Sequence, residues 1–156
     1  MVTRCCIMIY MCCVLKIPFI LEQPMSSLLQ YHPDFQRLCR SFTIYKVFIW
    51  IGSYGGSCPK GTFLYTNYRW VQELHLPLPK DREWDEDVSI KYIDSQGNHR
   101  VQGGPALKAT QHYPALFGHS VAQLWERNRA DIKRCVQHAA KLISTYNAGA
   151  CGCTGR

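Results

Sequence analysis

The feature that most constrains the fold is a succession of two apolar runs separated by one helical pattern, all within residues 17–51. Residues 17–21 (Ile-Pro-Phe-Ile-Leu) form a short apolar run that ends at Glu22, Gln23 and Pro24. Residues 43–51 (Thr-Ile-Tyr-Lys-Val-Phe-Ile-Trp-Ile) are β-branched and aromatic, the composition of a buried strand. Between them Pro33 opens a helical stretch that sets Phe35, Leu38, Cys39 and Phe42 on one face and Arg37 and Arg40 on the other. Strand, helix and strand at this spacing predict a βαβ unit, with residues 17–22 and 43–51 as parallel neighbours and a right-handed crossover. In an open α/β sheet ligands bind beyond the carboxyl ends of the strands. Glu22 and Gln23 are therefore the polar groups best placed for recognition, and Ser26 and Ser27 are N-cap candidates for a short helix reaching Tyr31.

The second half adds pieces to this unit. Residues 52–61 are dense in glycine, and Lys60 can meet a phosphate there, although the spacing matches neither the P-loop nor the dinucleotide fingerprint. Residues 62–66 read as a further short strand and residues 67–74 as a helical turn or two. Residues 80–87 hold five of the eleven acidic residues and read as a solvated loop. Alternation over residues 88–93, a turn at Asp94-Ser95-Gln96-Gly97-Asn98 and a return strand over 99–102 predict an inserted β-hairpin. Residues 105–111 are a possible helix opening. The apolar spacing of three and four from Leu116 to Tyr146 predicts a long C-terminal helix, with the Cys135 portion packed on the sheet and Arg127, Arg134 and Lys141 on its polar face. The expectation is one α/β domain over residues 17–146, with the hairpin inserted and the long helix at its C-terminal end. An apolar segment (1–16) precedes it and a flexible Gly/Cys tail (147–156) follows.

Charge and cysteines set the classes of function. A formal charge of +7 on 156 residues favours a polyanionic partner such as nucleic acid, although the basic residues are scattered. Of nine cysteines, Cys5, Cys6, Cys12 and Cys13 lie in an apolar run, and only Cys151 and Cys153 have the look of a ligand pair. That pair lacks a second one, so no metal site is expected. An odd cysteine count favours a reducing, intracellular compartment, cytoplasm or nucleus. Residues 5–15 are apolar throughout but too short to span a bilayer. A membrane anchor is the minority reading, and a buried element beside the 17–21 strand the majority one.

Three ordered segments resemble the distal part of DNA cytosine methyltransferases. Residues 20–27 (Ile-Leu-Glu-Gln-Pro-Met-Ser-Ser) resemble the strand-end Glu-Asn motif. Residues 54–60 (Tyr-Gly-Gly-Ser-Cys-Pro-Lys) resemble the later tyrosine-glycine loop. Residues 117–122 (Phe-Gly-His-Ser-Val-Ala) resemble the helix start that closes the family's fold. The resemblance implies base recognition by Glu22, with Gln23, Pro24, Ser26, Tyr54, Gly55 and Lys60 as substrate-binding residues. It also implies that Gly118 and His119 border the S-adenosylmethionine site of the family. Gln23 and His119 stand where the family has asparagine. No Gly-rich cofactor loop precedes residue 17, and neither Cys12 nor Cys13 follows a proline as the family's nucleophile does. The expectation is thus a methyltransferase-like fragment, a partial Rossmann-like three-layer sheet without bound cofactor or activity of its own, open to a complementing chain or an upstream half-domain. A basic, non-catalytic module for nucleic acid or protein is the competing class.

Overall fold

The computed structural model describes residues 2–84 and 88–150. Helix α1 (Val2–Val14) is followed by strand β1 (Ile20–Pro24), a 3-10 turn (Leu29–Tyr31), helix α2 (Pro33–Ser41) and strand β2 (Tyr45–Trp50). A second 3-10 turn (Ile51–Tyr54) leads to strand β3 (Gly61–Thr66), and a third (Arg69–Leu74) follows it. Strands β4 (Ser89–Ile93) and β5 (His99–Gly103) make the expected hairpin. A last 3-10 segment (Pro105–Gln111), helix α3 (Ala115–Arg127) and helix α4 (Arg129–Ala150) complete the chain.

The α/β class holds, but the strand order departs from expectation. The main sheet is ordered β1-β3-β2, and β3 runs antiparallel to both neighbours, with Glu22 opposite Leu64 and Val47 also opposite Leu64. Strands β1 and β2 therefore point the same way without being neighbours. They form a split βαβ unit, not the parallel pair of a Rossmann-like core. The physical reason lies in the connection after β2. Ten residues, 51–60, carry the chain back on itself, with Ile51 N donating to Lys60 O (3.1 Å) and Gly52 N to Pro59 O (3.1 Å). That return closes an antiparallel β2–β3 pair and fills the slot beside β2 before β1 can take it.

Side-chain alternation along the three strands defines two faces. One face presents Val47, Ile49 and Leu64, covered by Tyr54, Val71, Leu74 and Leu124, with Phe117 and Val121 of α3 at its margin. The other presents Tyr65, packed with Phe35 and Leu38 of α2 and Cys6 and Ile9 of α1. Helices thus lie on both sides of the sheet. Within the apolar segment 1–16, residues 2–14 form helix α1, whose Cys6 and Ile9 are buried in this second core with Phe19 and Leu21 packed against it, so a partly buried element does lie beside the 17–21 run. It closes in a Schellman motif: Ile17 N donates to Cys12 O (2.8 Å) and Lys16 N to Cys13 O (3.2 Å), with Lys16 in the left-handed region (φ 54°) that glycine usually fills.

Helix α2 starts as its sequence dictates. Pro33 occupies the first turn, the His32 ring accepts a hydrogen bond from Asp34 N (3.3 Å), and Phe35 and Leu38 are buried while Arg37 and Arg40 face out. Ser27 rather than Ser26 stabilises the preceding turn, its Oγ accepting from Leu29 N (3.2 Å). The long C-terminal pattern is broken at Asn128, whose side chain donates to Leu124 O (2.8 Å). It is α3, through Leu124, that enters the sheet-side core, whereas Cys135 of α4 lies against Tyr68. Helix α4 continues to Ala150, so residues 147–150 are helical and not the start of a tail. Cys151 and Cys153, and the acidic residues 85–87, lie outside the described residues.

Candidate functional site

The carboxyl end of β1 meets the start of β3, because Pro24 pairs with Thr62 and Met25 N donates to Gly61 O (3.0 Å). Glu22 shares the face of Thr62 and Leu64, and the fully buried Thr62 donates its hydroxyl to Glu22 Oε1 (3.3 Å). Tyr113, on the loop before α3, is within hydrogen-bonding reach of the same carboxylate. Tyr113 keeps 44% of its surface in solvent; partial burial first, then that carboxylate's hydrogen bond and charge, raise its phenol above the ordinary range. Lys60 also reaches Tyr113, with Nζ 4.7 Å from the ring centroid and a hydrogen bond to Thr110 O (3.3 Å). Its φ of 34° places a non-glycine residue in strained backbone at this corner. Glu22 and Lys60 therefore stand at one edge of the sheet, joined through a tyrosine that no motif singled out.

The other residues singled out by sequence scatter. Gln23, opposite Phe63, faces away from Glu22 and accepts a hydrogen bond from Ser27 Oγ (2.8 Å). Pro24 and Ser26 are exposed. Tyr54 is buried, its hydroxyl donates to Leu74 O, and burial raises its pKa, as expected of a core tyrosine. Gly55 supplies the left-handed residue (φ 93°) that ends the 3-10 turn. Gly118 has open space beside its Cα, and His119 is exposed on α3. The motif segments are linked through aromatic rings rather than these polar groups: Tyr113 to Phe117 (5.7 Å) and Phe117 to Tyr54 (5.3 Å).

A second constellation lies on the opposite face. Alternation along β2 sends Lys46, Phe48 and Trp50 to one side, where Phe63 and Gly61 of β3 stand opposite Phe48 and Trp50. The Phe48 ring meets Trp50 edge-on at 4.9 Å and Phe63 at 5.4 Å. Lys46 Nζ sits 3.8 Å over the Phe63 ring and donates to Gln30 Oε1 (2.6 Å). Gly61 makes the arrangement possible, since a Cβ there would come within 3.1 Å of Phe48 and 3.2 Å of Trp50. All three rings keep part of their surface in solvent. Beside them opens a cavity of about 470 Å³ whose lining includes Gln30, Gln36, Arg40 and Lys46 and no carboxylate. The signal available in sequence was the Lys-x-Phe-x-Trp alternation inside residues 46–50.

Thiol chemistry finds little support. Burial first, then neighbouring Cys12 and Cys39, pushes the Cys13 thiol up to about 11, and burial also raises Cys6 and Cys39. A thiol held protonated is a poor nucleophile and a poor ligand. Among the described residues no group of three or more His, Cys, Asp or Glu side chains is placed to hold a metal ion. No helix among them is long and apolar enough to cross a membrane. The chain matches no family profile, no curated protein and no solved structure.

Proposed function

We propose that this chain is a small, basic, non-catalytic module that binds single-stranded nucleic acid across β2 and β3. The observation that carries the reading is the partly open row Phe63, Phe48 and Trp50, with Lys46 over its first ring and Arg40 across the adjoining cavity. Bases stack on aromatic faces irrespective of sequence, at roughly 1–3 kcal/mol per base, while nearby cations neutralise phosphates. The cavity supplies Gln30 and Gln36 as neutral hydrogen-bonding groups and no like charge to repel a phosphate. The test is fluorescence anisotropy with a labelled homopyrimidine oligonucleotide and a duplex of equal length. Preference for the single strand, lost in Phe48→Ala, supports the reading; equal affinity for both, unchanged in that variant, overturns it.

A second reading rests on the convergence of Glu22 and Lys60 on Tyr113. It takes the chain as the distal half of a methyltransferase-like domain, which needs a complementing half for S-adenosylmethionine and for the nucleophile. Such chemistry requires an activated thiolate and a bound sulfonium donor. The purified chain alone is then expected to transfer no methyl group to DNA or RNA. Methyl incorporation by the pure protein would defeat both readings, since it would make the chain an enzyme complete in itself.

A further inference from the structure

Helix α1 buries one stripe and leaves another apolar stripe uncovered. Cys6 and Ile9 are buried against α2 and Tyr65, with Val2, Cys5 and Cys13 beside them. The outward stripe Ile7, Met8, Met11 and Val14, spaced by three and four, is 58%, 69%, 49% and 47% exposed. Arg4 and Lys16, both exposed, lie at either end of this stripe, and α1 carries no acidic residue. Asp34 on α2, which shares a cavity with Cys6, Ile7 and Tyr10, is already occupied by Arg37 (3.0 Å) and by the Thr3 hydroxyl (2.9 Å), and Asp131, which shares a cavity with Lys16, is paired with Arg134. A helix that is apolar on both sides, with Arg4 in its first turn and Lys16 two residues past its end, has one face left to cover.

We infer that the surface covering this face is an anionic lipid membrane, on which α1 lies flat. Two physical arguments favour lipid over a second copy of the chain. Pairing α1 with itself sets Arg4 against Lys16 in an antiparallel arrangement, or each cation against its own kind in a parallel one, and α1 has no carboxylate to offset either. The stripe from Ile7 to Val14 also measures only about 10 Å by 10 Å, well short of the ~800 Å² that each partner contributes to a stable protein interface. A membrane has no such threshold: apolar side chains enter the headgroup boundary and flanking cations meet anionic lipid. Helix α1 is too short to cross the bilayer and is placed to lie in its surface.

The test is co-sedimentation of the full chain with vesicles of phosphatidylcholine, with and without phosphatidylserine. Binding is expected to the mixed vesicles and to fall about tenfold or more in Met8→Gln/Met11→Gln, whose substitutions are exposed and leave the buried stripe intact. Arg4→Gln/Lys16→Gln is expected to lower binding to the mixed vesicles towards the level seen with phosphatidylcholine alone. Trp50→Ala is expected to leave vesicle binding unchanged, which separates this surface from the nucleic-acid face. The inference is overturned by equal sedimentation with both vesicle types, by unchanged binding of the methionine variant, or by a concentration-dependent dimer in light scattering that the same variant dissolves.

Discussion

The two faces of the main sheet are made by alternate residues of the same strands, and they are finished differently. On the face carrying Val47, Ile49 and Leu64, every sheet side chain in the buried cluster is at most 5% exposed and the covering segments supply Val71, Leu74 and Leu124. On the face carrying Lys46, Phe48 and Trp50, helices α1 and α2 seal only the end around Tyr65, and the rings beyond it stay half-open. Burial of apolar area stabilises the fold, at roughly 25 cal/mol per Å². Leaving three rings partly in water forgoes some of that stabilisation. The difference teaches that β2 is finished differently at period two, one residue sealed in the core and the next left partly in solvent, the face on which the proposed binding rests.

The comparison breaks or sharpens through substitutions on either side of the sheet. Leu64→Ala, at a fully buried position shared by β1 and β2, is expected to cost about 2–5 kcal/mol in urea denaturation. Trp50→Ala is expected to lose about 1–3 kcal/mol of oligonucleotide affinity, with a smaller stability loss than Leu64→Ala. If Trp50→Ala destabilises as much as Leu64→Ala, the open face is simply core and the contrast is gone. Tyr113→Phe removes one hydroxyl from the Glu22 corner and, because Tyr113 is 44% exposed, is expected to cost no more than about 0.5 kcal/mol, measured by thermal unfolding.

The smallest effect is absent at neutral pH and appears only in alkali. Tyr54 on one face and Tyr65 on the other have phenol pKa values raised above 10.0, in both cases chiefly by burial. The folded state therefore holds these protons more tightly than the unfolded chain does. Their contribution to stability is complete below pH 10 and is lost as the pH climbs from there through the folded values. Tyrosinate absorbance and far-ultraviolet dichroism are expected to change together in that range. Ionisation of these two phenols without loss of structure would show that neither face excludes water as described.

Sequence reading succeeded where the signal was local. Pro33 with the Phe35 and Leu38 spacing located α2, and the Asp94–Asn98 turn located the hairpin. There Asp94 accepts hydrogen bonds from Gln96 N and Asn98 N (2.9 Å each). It failed where the answer depended on pairing. Residues 61–66 read as one more short strand, and nothing local to them shows that they lie between the two strands that come before them. Residues 43–51 read as uniformly buried because composition outweighed alternation, which hid Lys46, Phe48 and Trp50 as one face. Helix α1 was obscured for a similar reason, since an unbroken apolar run carries no period to separate helix from strand. Glu22 and Lys60 were legible as candidates, but Tyr113, which joins them, is ninety-one residues from Glu22 in the chain and becomes visible only in the fold.

The central position of β3 also sets the order in which the molecule can assemble. Both outer strands precede it, so a nascent chain has no sheet partner for either until residues 61–66 have left the ribosome. The β2–β3 pair then closes across a ten-residue return, whereas β1 must be recruited from Pro24 to Thr62, a longer loop with a larger entropic cost. Until β1 docks, one edge of β3 is unpaired, and an unpaired edge is what neighbouring chains add to. The interval between synthesis of β3 and docking of β1 is thus the stage of synthesis most exposed to aggregation.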